Sequence, residues 1–199
     1  MDGASHAAYK DMLRVMKFVL DTKQYCLKIQ PKDEGKEWDL VSYCDSDWAG
    51  DAETRISVTG FIIYLLGVPI CWRSKGQKGV TLSSSEAEYV AISEAVKEIR
   101  FIYYLLESIG INIELPIVVR CDNVGAIFMA ENLSSGVRTR HIDTRYHFVR
   151  EHIEDGFIKI VFVKSRENVA DLFTKNVSRD IYAEHVSKFL GRVNCDSDG

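Results

Sequence analysis

Three short β-type segments in a row, followed directly by a long helical one, constrain the fold of this chain more than any other feature. Segments 38–45, 57–66 and 69–74 are rich in β-branched and aromatic residues and are joined by short connections. Strands connected this closely pair antiparallel, because a parallel pair requires a long crossover between its strands. We therefore predict that the chain builds a three-stranded antiparallel meander.

The rest of the chain alternates between helical and strand-like patterns. Ser83 opens a helix that we expect to run to about Ser108, before Gly110 ends it. The later segments are predicted as a buried strand at 116–122, a short helix at 123–131, a charged helix at 139–155, a strand at 157–163 and a helix at 168–176. The order β-β-β-α-β-α-α-β-α predicts an α/β protein whose mixed sheet carries helices on its faces.

Both ends of the chain carry additional elements. An amphipathic helix is predicted at 7–21 and a short strand at 25–29, and the polar stretch 30–37 is the best candidate for a linker. A further helix is predicted at 179–190, ahead of a loose polar tail at 192–199. We therefore expect three parts: 1–37, 38–176 and 177–199.

Composition and charge exclude several classes of protein. No apolar stretch reaches the roughly 20 residues of a membrane-spanning helix, and the N-terminus lacks a signal-peptide pattern, so we expect an intracellular protein of the cytoplasm or nucleus that does not contact membranes. The five cysteines form no C-x-x-C pair and are expected to be reduced and mostly buried. The net charge of −4 implies that a polyanionic partner is held by local basic patches or by metal.

Four carboxylates stand where predicted strands end and predicted helices begin. Asp45 and Asp122 end strands, whereas Glu88 and Asp171 lie in the first turns of helices. Four acids gathered in a partly buried site raise one another's pKa, and a divalent cation relieves that repulsion. Oxygen ligands without a nearby Cys or His pair favour Mg²⁺ or Mn²⁺ over zinc. Two such ions together catalyse phosphodiester hydrolysis.

Each acid, taken alone, also has a purely structural explanation. Acidic residues cap helices, form turns and interact favourably with the positive end of a helix dipole. For Glu88 and Asp171 considered singly, the structural explanation is the stronger one. The alternatives are a capping box between Ser85 and Glu88, a turn at Asp45 and Asp47, an N-cap at Asp122 and a dipole interaction for Asp171.

The residues around the acids resemble a known family. The segments concerned are Ser42–Asp51, Arg55–Phe61, Cys71–Gln77, Leu82–Ala91, Cys121–Asn123, Arg140–Glu151 and Ala170–Lys175. In this order they closely resemble the ribonuclease H region of copia-type retrotransposon Pol polyproteins, over residues 38 to 176. Residues 1–37 resemble the end of a reverse transcriptase and its connection to the nuclease, so we expect the chain to be a fragment or a truncated relict.

This resemblance implies a ribonuclease H-like fold with a five-stranded mixed sheet, three antiparallel strands coming first. It implies that Asp45, Glu88, Asp122 and Asp171 are catalytic and bind two Mg²⁺ ions, which Mn²⁺ can replace. Asp45 is preferred to Asp47 because Asp47 is expected in the turn after the strand. The histidine that many ribonucleases H carry just before the last aspartate is absent from the loop at 163–171.

The resemblance also implies a substrate, the RNA–DNA hybrid of reverse transcription, and a partner, the reverse transcriptase domain of the same polyprotein. Basic residues before the long helix and on the later charged helix offer phosphate contacts, with a solvated helix face as the alternative. Aromatic side chains offer stacking platforms at Trp48, Trp72 and Tyr89, although a core position is favoured for Trp72. The candidate nucleic-acid contacts are Arg73, Lys75, Lys78, Ser84, Asn123, Arg138, Arg140 and Arg145.

Two other functions compete with the nuclease hypothesis. A catalytically silent relict, or a structural module that supports a reverse transcriptase, would share the fold without its activity. An integrase-like enzyme would share the superfamily, but the segment 82–89 argues against it. The complete set of four acids favours the active enzyme, because unused buried carboxylates are costly to maintain.

Overall fold

The chain folds around one central sheet with helices packed against it. The computed structural model describes residues 5–30, 38–51, 53–131 and 140–192, with the backbone alone for 140–144. Two short 3₁₀ helices, Ser165–Glu167 and Val169–Phe173, lie between the last strand of this sheet and the C-terminal elements. The helices are α1 (His6–Thr22), α2 (Ser84–Ser108), α3 (Val124–Glu131), α4 (Arg140–Glu154) and α5 (Arg179–Val186), and the strands are β1 (Tyr25–Leu27), β2 (Leu40–Asp47), β3 (Val58–Leu65), β4 (Val68–Gly76), β5 (Ile117–Cys121), β6 (Ile158–Phe162) and β7 (Leu190–Arg192).

The central sheet has five strands in the order β4-β3-β2-β5-β6. β2, β3 and β4 form the antiparallel meander, and β5 and β6 add to it as parallel strands. β3 is buried along six consecutive residues because elements cover both of its faces. The predicted fold class, with three antiparallel strands first in a mixed five-stranded sheet, is confirmed.

Helix α2 supplies the largest apolar face against the sheet, through residues such as Ile92, Val96 and Ile99. Its N-cap is Ser83, whose Oγ accepts a hydrogen bond from the Glu86 amide at 3.2 Å. The Glu86 carboxylate accepts one in return from the Leu82 amide at 2.6 Å. These residues form the cap, so the capping box between Ser85 and Glu88 is wrong and Glu88 is not needed for it.

The terminal segments meet in a second, two-stranded sheet in which β1 pairs antiparallel with β7. This pairing was not predicted: the helix expected at 179–190 ends at Val186, and its last residue begins β7. α1 forms as predicted, but its apolar residues remain exposed, and Phe18 packs edge-on against Tyr182 with ring centroids 5.7 Å apart. Within the described residues, no helix combines the length and apolar character that a membrane crossing requires.

Four local expectations need correction. β2 continues to Asp47, so Asp47 ends the strand and does not lie in the turn. The helix expected at 168–176 is instead the 3₁₀ helix Val169–Phe173. The N-cap of α3 is Asn123 rather than Asp122, because the Asn123 side chain accepts a hydrogen bond from the Ala126 amide. Trp72 is 51% exposed, because it lies on the solvent side of the edge strand β4. Among the described cysteines, Cys44 and Cys121 are buried, whereas Cys26 and Cys71 are half-buried; all four are free, and Cys195 lies outside the described residues.

Candidate metal centre

The parallel pairing of β2 with β5 brings the first two acids together. Tyr43 is the register partner of Arg120, so Asp45 lies two residues further along β2 and Asp122 directly follows the end of β5 beside it. The 3₁₀ helix Val169–Phe173 brings Asp171 to the same two acids. Asp45, Asp122 and Asp171 each offer a carboxylate oxygen, and these three oxygens lie within 4.8 Å of one another.

A second group of ligand atoms adjoins the first. Glu88, Cys121 and Asp122 each offer one atom, and these three also lie within 4.8 Å of one another. Asp122 is common to both groups, and the structure therefore brings all four predicted acids together. Glu88 lies in the second turn of α2 rather than the first. Its Oε1 accepts from the Ser46 amide at 3.1 Å, which aims the carboxylate at the end of β2.

Burial sets the electrostatics of the centre. Asp45 is 1% exposed, and loss of hydration, together with the charges of Asp171 and Asp122, raises its pKa to about 7, despite opposing effects of Thr174 and Lys175. Burial also raises the pKa of Glu88 to about 10, with Cys121, Asp45 and Asp122 acting in the same direction. The centre therefore holds carboxylates whose charge is poorly compensated. A divalent cation with a preference for oxygen ligands fits this donor set.

Besides Cys121 of the second ligand group, two further residues of the centre were not predicted as site residues. The Thr174 hydroxyl donates a hydrogen bond to Asp45 Oδ2. The Lys175 ammonium lies 3.0 Å from Asp171 Oδ1 and 3.6 Å from Asp45 Oδ2. Both residues belong to the segment 170–175 that carries part of the family resemblance, and that was the available signal. A lysine four residues after an aspartate, however, ordinarily indicates a surface ion pair.

Close packing holds the 3₁₀ helix against β2 and β3. The buried Asn168 side chain donates to the Cys44 carbonyl at 2.9 Å and accepts from the Ala170 amide at 3.2 Å. On β3, Gly60 leaves no room for a side chain, because a Cβ there would lie 2.6 Å from Thr174 Cγ2. Asp171 is therefore positioned by the Asn168 side chain, which binds the backbone of β2, and by the absence of a side chain at Gly60 on β3.

Four of the predicted nucleic-acid contacts surround one cavity of about 210 Å³. Lys75 and Lys78 come from β4 and the loop after it, and Arg145 comes from α4. Arg73 also lines the cavity, but its guanidinium forms ion pairs with Glu98 at 2.9 Å and Glu94 at 3.8 Å. Its positive charge is thus partly neutralised by acids of α2.

The remaining candidates differ in their placement. Ser84 is exposed at the start of α2, whereas the Asn123 side chain caps α3 and accepts from Ser85 Oγ at 3.1 Å. Arg138 lies outside the described residues, and the Arg140 side chain is likewise not described. Among the aromatic candidates, Trp48 is exposed, with its indole N–H donating to the Thr81 carbonyl.

Tyr89 does not face a nucleic acid. It is 2% exposed, its ring lies 4.2 Å from that of Tyr146 between centroids, and its hydroxyl donates to the Tyr146 carbonyl. The stacking role considered for Tyr89 is therefore wrong, because the ring packs between α2 and α4 inside the core. Trp72 shows the opposite result, because it was expected in the core and is exposed.

The five-stranded sheet, its helices and the acids at one end of the parallel strands define a ribonuclease H fold. A structure of LC11-RNase H1, isolated from compost, matches with a TM-score of 0.52 over 68% of this chain and 92% of that chain, at 16% identity. A crystal structure of LC11-RNase H1 in complex with RNA/DNA hybrid also gives 0.52, covering 68% of this chain and 94% of that chain at 14% identity. Identities this low show the fold alone.

Sequence similarity shows the family, although no protein-family model matches the chain. The retrovirus-related Pol polyprotein from transposon RE1 of Arabidopsis thaliana is 37% identical over 175 residues, which cover 88% of this chain and 12% of that protein. The one from transposon TNT 1-94 of Nicotiana tabacum is 41% identical over 141 residues, covering 71% of this chain and 10% of that protein. The chain belongs to the copia-type retrotransposon Pol polyproteins, as a ribonuclease H domain. It spans about an eighth or less of these relatives' length.

Proposed function

We propose that this chain is a metal-dependent endonuclease that hydrolyses the RNA strand of RNA–DNA hybrids during retrotransposon reverse transcription. One observation carries the proposal: within a ribonuclease H fold, two groups of metal-ligand atoms share Asp122 and include all four acids. Mg²⁺ is the proposed cofactor, as two ions, and Mn²⁺ is its expected substitute, because the donors are mainly carboxylate oxygens.

Each residue of the centre has a proposed role. Asp45, Asp122 and Asp171 would hold one cation, and Glu88 with Asp122 would hold the other. When bound, such cations supply an activated water and stabilise the leaving oxygen of a phosphodiester. The protein's own contribution is to keep the four carboxylates close before any cation arrives, with Asp45, Glu88 and Asp171 buried and Asp122 half-buried. The Ser46 amide orients Glu88, and the buried Asn168 side chain positions the 3₁₀ helix that carries Asp171.

The hybrid substrate is supported by the fold and by basic residues around a cavity against α2. LC11-RNase H1, which shares the fold, has been crystallised with an RNA/DNA hybrid. In this chain, Lys75, Lys78 and Arg145 surround a cavity next to α2, where they would contact phosphates without reading bases. Backbone geometry and the 2′-hydroxyl would define the substrate.

We also propose how the chain relates to the rest of the polyprotein. Residues 38–176 would form the nuclease, with 177–199 as a C-terminal extension, and residues 1–37 would connect it to a reverse transcriptase domain inside the cell. The exposed apolar residues of α1, such as Leu13, Met16 and Leu20, support a packing role for that helix.

The test uses the purified chain with labelled RNA–DNA hybrid, single-stranded RNA and double-stranded RNA, each in Mg²⁺, Mn²⁺ or EDTA. We expect cleavage of the RNA strand of the hybrid alone, with either metal and not with EDTA. Cleavage of single-stranded RNA in EDTA would exclude the metal-dependent mechanism. Metal binding without cleavage of any substrate would favour the silent module instead.

A further inference from the structure

Lys175 occupies an unusual place for a basic residue in a centre that binds cations. Its ammonium lies 3.0 Å from Asp171 Oδ1 and 3.6 Å from Asp45 Oδ2, so it bridges two acids of the same ligand group. Those two carboxylates are almost fully buried, with side-chain exposures of 9% and 1%, whereas the lysine side chain is 39% exposed. The cation of this bridge can therefore withdraw into solvent, and its anions cannot.

An ammonium group and a divalent cation cannot share these oxygens. At distances of 3 to 4 Å, two positive charges in a partly buried site repel each other strongly, because the protein screens less than water. Without the metal, the opposite problem arises: several carboxylates face one another with little hydration to separate them. A lysine on a flexible stem can neutralise the carboxylates while the metal is absent, and it can move away when a divalent cation binds.

We propose that Lys175 is the internal counter-cation of the metal-free centre, and that it leaves Asp45 and Asp171 when a divalent cation binds. This inference rests on the proposed metal-dependent function. Lys175 thus stabilises the fold before metal loading and competes with the metal for the same oxygens. Thr174 differs from it, because its neutral hydroxyl donates to Asp45 without competing for charge. Lys175 is a positioning residue, because it acts through Asp45 and Asp171. Thr174 holds Asp45 both without and with the bound metal.

The first experiment measures Mn²⁺ affinity by electron paramagnetic resonance, together with melting temperature in EDTA and in Mn²⁺. Lys175→Met keeps the length of the stem and removes the charge, and Lys175→Arg retains a charge. Lys159→Met, at an exposed position on β6, is the matched control for loss of one positive charge.

We expect Lys175→Met to bind Mn²⁺ at least about fivefold more tightly, the lower end of typical coupling between two ligands that compete through one protein. Its melting temperature should fall in EDTA and recover in Mn²⁺, while Lys175→Arg and Lys159→Met stay within about twofold of the parent affinity. A merely structural lysine would lower the melting temperature equally in both conditions and would not tighten Mn²⁺ binding. Unchanged or weaker Mn²⁺ binding by Lys175→Met would overturn the proposal.

The second experiment uses the unmodified chain, so it does not depend on whether the variants fold. An amine-acylating reagent is applied in EDTA and in Mg²⁺, and modification at each lysine is quantified by mass spectrometry. Acylation of Lys175 should be several-fold faster with Mg²⁺, and that of Lys159 should not change. Equal rates at Lys175 under conditions where Mn²⁺ or Mg²⁺ demonstrably binds would refute the displacement alone. Failure of the parent chain to bind either metal would refute both this inference and the metal-dependent function.

Discussion

Replacing Asp45 by Asn tests separately how the acidic centre affects the stability of the metal-free fold and how it contributes to cleavage. Asp45 is 1% exposed and has a pKa of about 7, against an ordinary value of 3.8. Between these values the folded chain keeps a proton that the unfolded chain has released, so the metal-free protein loses stability as pH rises through this window. At about 1.4 kcal/mol per pH unit, the interval between the two pKa values lowers the free energy of unfolding by roughly 4 kcal/mol at pH 8.

Asn has nearly the same size and no charge, so Asp45→Asn should avoid this loss. In EDTA at pH 8 we expect the variant to be more stable than the parent by about 2 to 4 kcal/mol, and the attraction between Asp45 and Lys175 is already included in the pKa of about 7. That difference corresponds to on the order of 10 °C in melting temperature for a chain of this size. Near pH 4 the two proteins should unfold alike, because Asp45 is protonated in the folded parent.

The assay combines urea unfolding at pH 4 and pH 8 with hybrid cleavage in Mg²⁺. Cleavage by Asp45→Asn should fall on the order of 100-fold or more, since a hard cation loses a charged ligand. Asp47→Asn is the matched control, because Asp47 ends the same strand and is only half-buried. If Asp45→Asn is no more stable than the parent in EDTA at pH 8, the buried charge of Asp45 does not destabilise the metal-free fold. If Asp47→Asn abolishes cleavage while Asp45→Asn preserves it, the first metal ligand is misplaced by two residues.

Three further predictions concern the surroundings of the centre. Gly60→Ala should destabilise the fold by about 1–3 kcal/mol and weaken Mn²⁺ binding, because the new Cβ would push against Thr174. Calorimetry that shows unchanged stability and affinity would contradict this contact. Ser83→Ala should cost about 1 kcal/mol in urea unfolding without changing Mn²⁺ affinity, since it removes only the cap of α2, and a loss of metal binding would show that the cap also positions Glu88. Affinity for hybrid should be weak and fall steeply with added salt, and Lys78→Ala should reduce the slope of log affinity against log salt by about one, as measured by fluorescence anisotropy; a slope unchanged by the substitution would remove Lys78 from the phosphate contacts.

Most element types and their order could be predicted from the sequence, because they depend on local patterns of residues. Enrichment in β-branched and aromatic residues and short connections predicted the meander of β2, β3 and β4, and the Ser83 start predicted α2. Family resemblance then selected Asp45, Glu88, Asp122 and Asp171; the preference for Asp45 over Asp47 also used an expected turn at Asp47, where the structure instead continues β2. That selection needed no tertiary information, since the surrounding segments carry it.

Tertiary structure decided the features that depend on residues far apart in the chain. The pairing of β1 with β7 joins segments at opposite ends, and two three-residue strands carry too weak a pattern to predict it. Trp72 is exposed because β4 is an edge strand, a property of sheet order rather than of strand sequence. Thr174 and Lys175 contact Asp45 across about 130 positions of sequence, so only the folded chain shows them within the acidic cluster rather than on a surface turn. Their contacts arise because β2, β3 and the 3₁₀ helix pack together with no side chain at Gly60 between them.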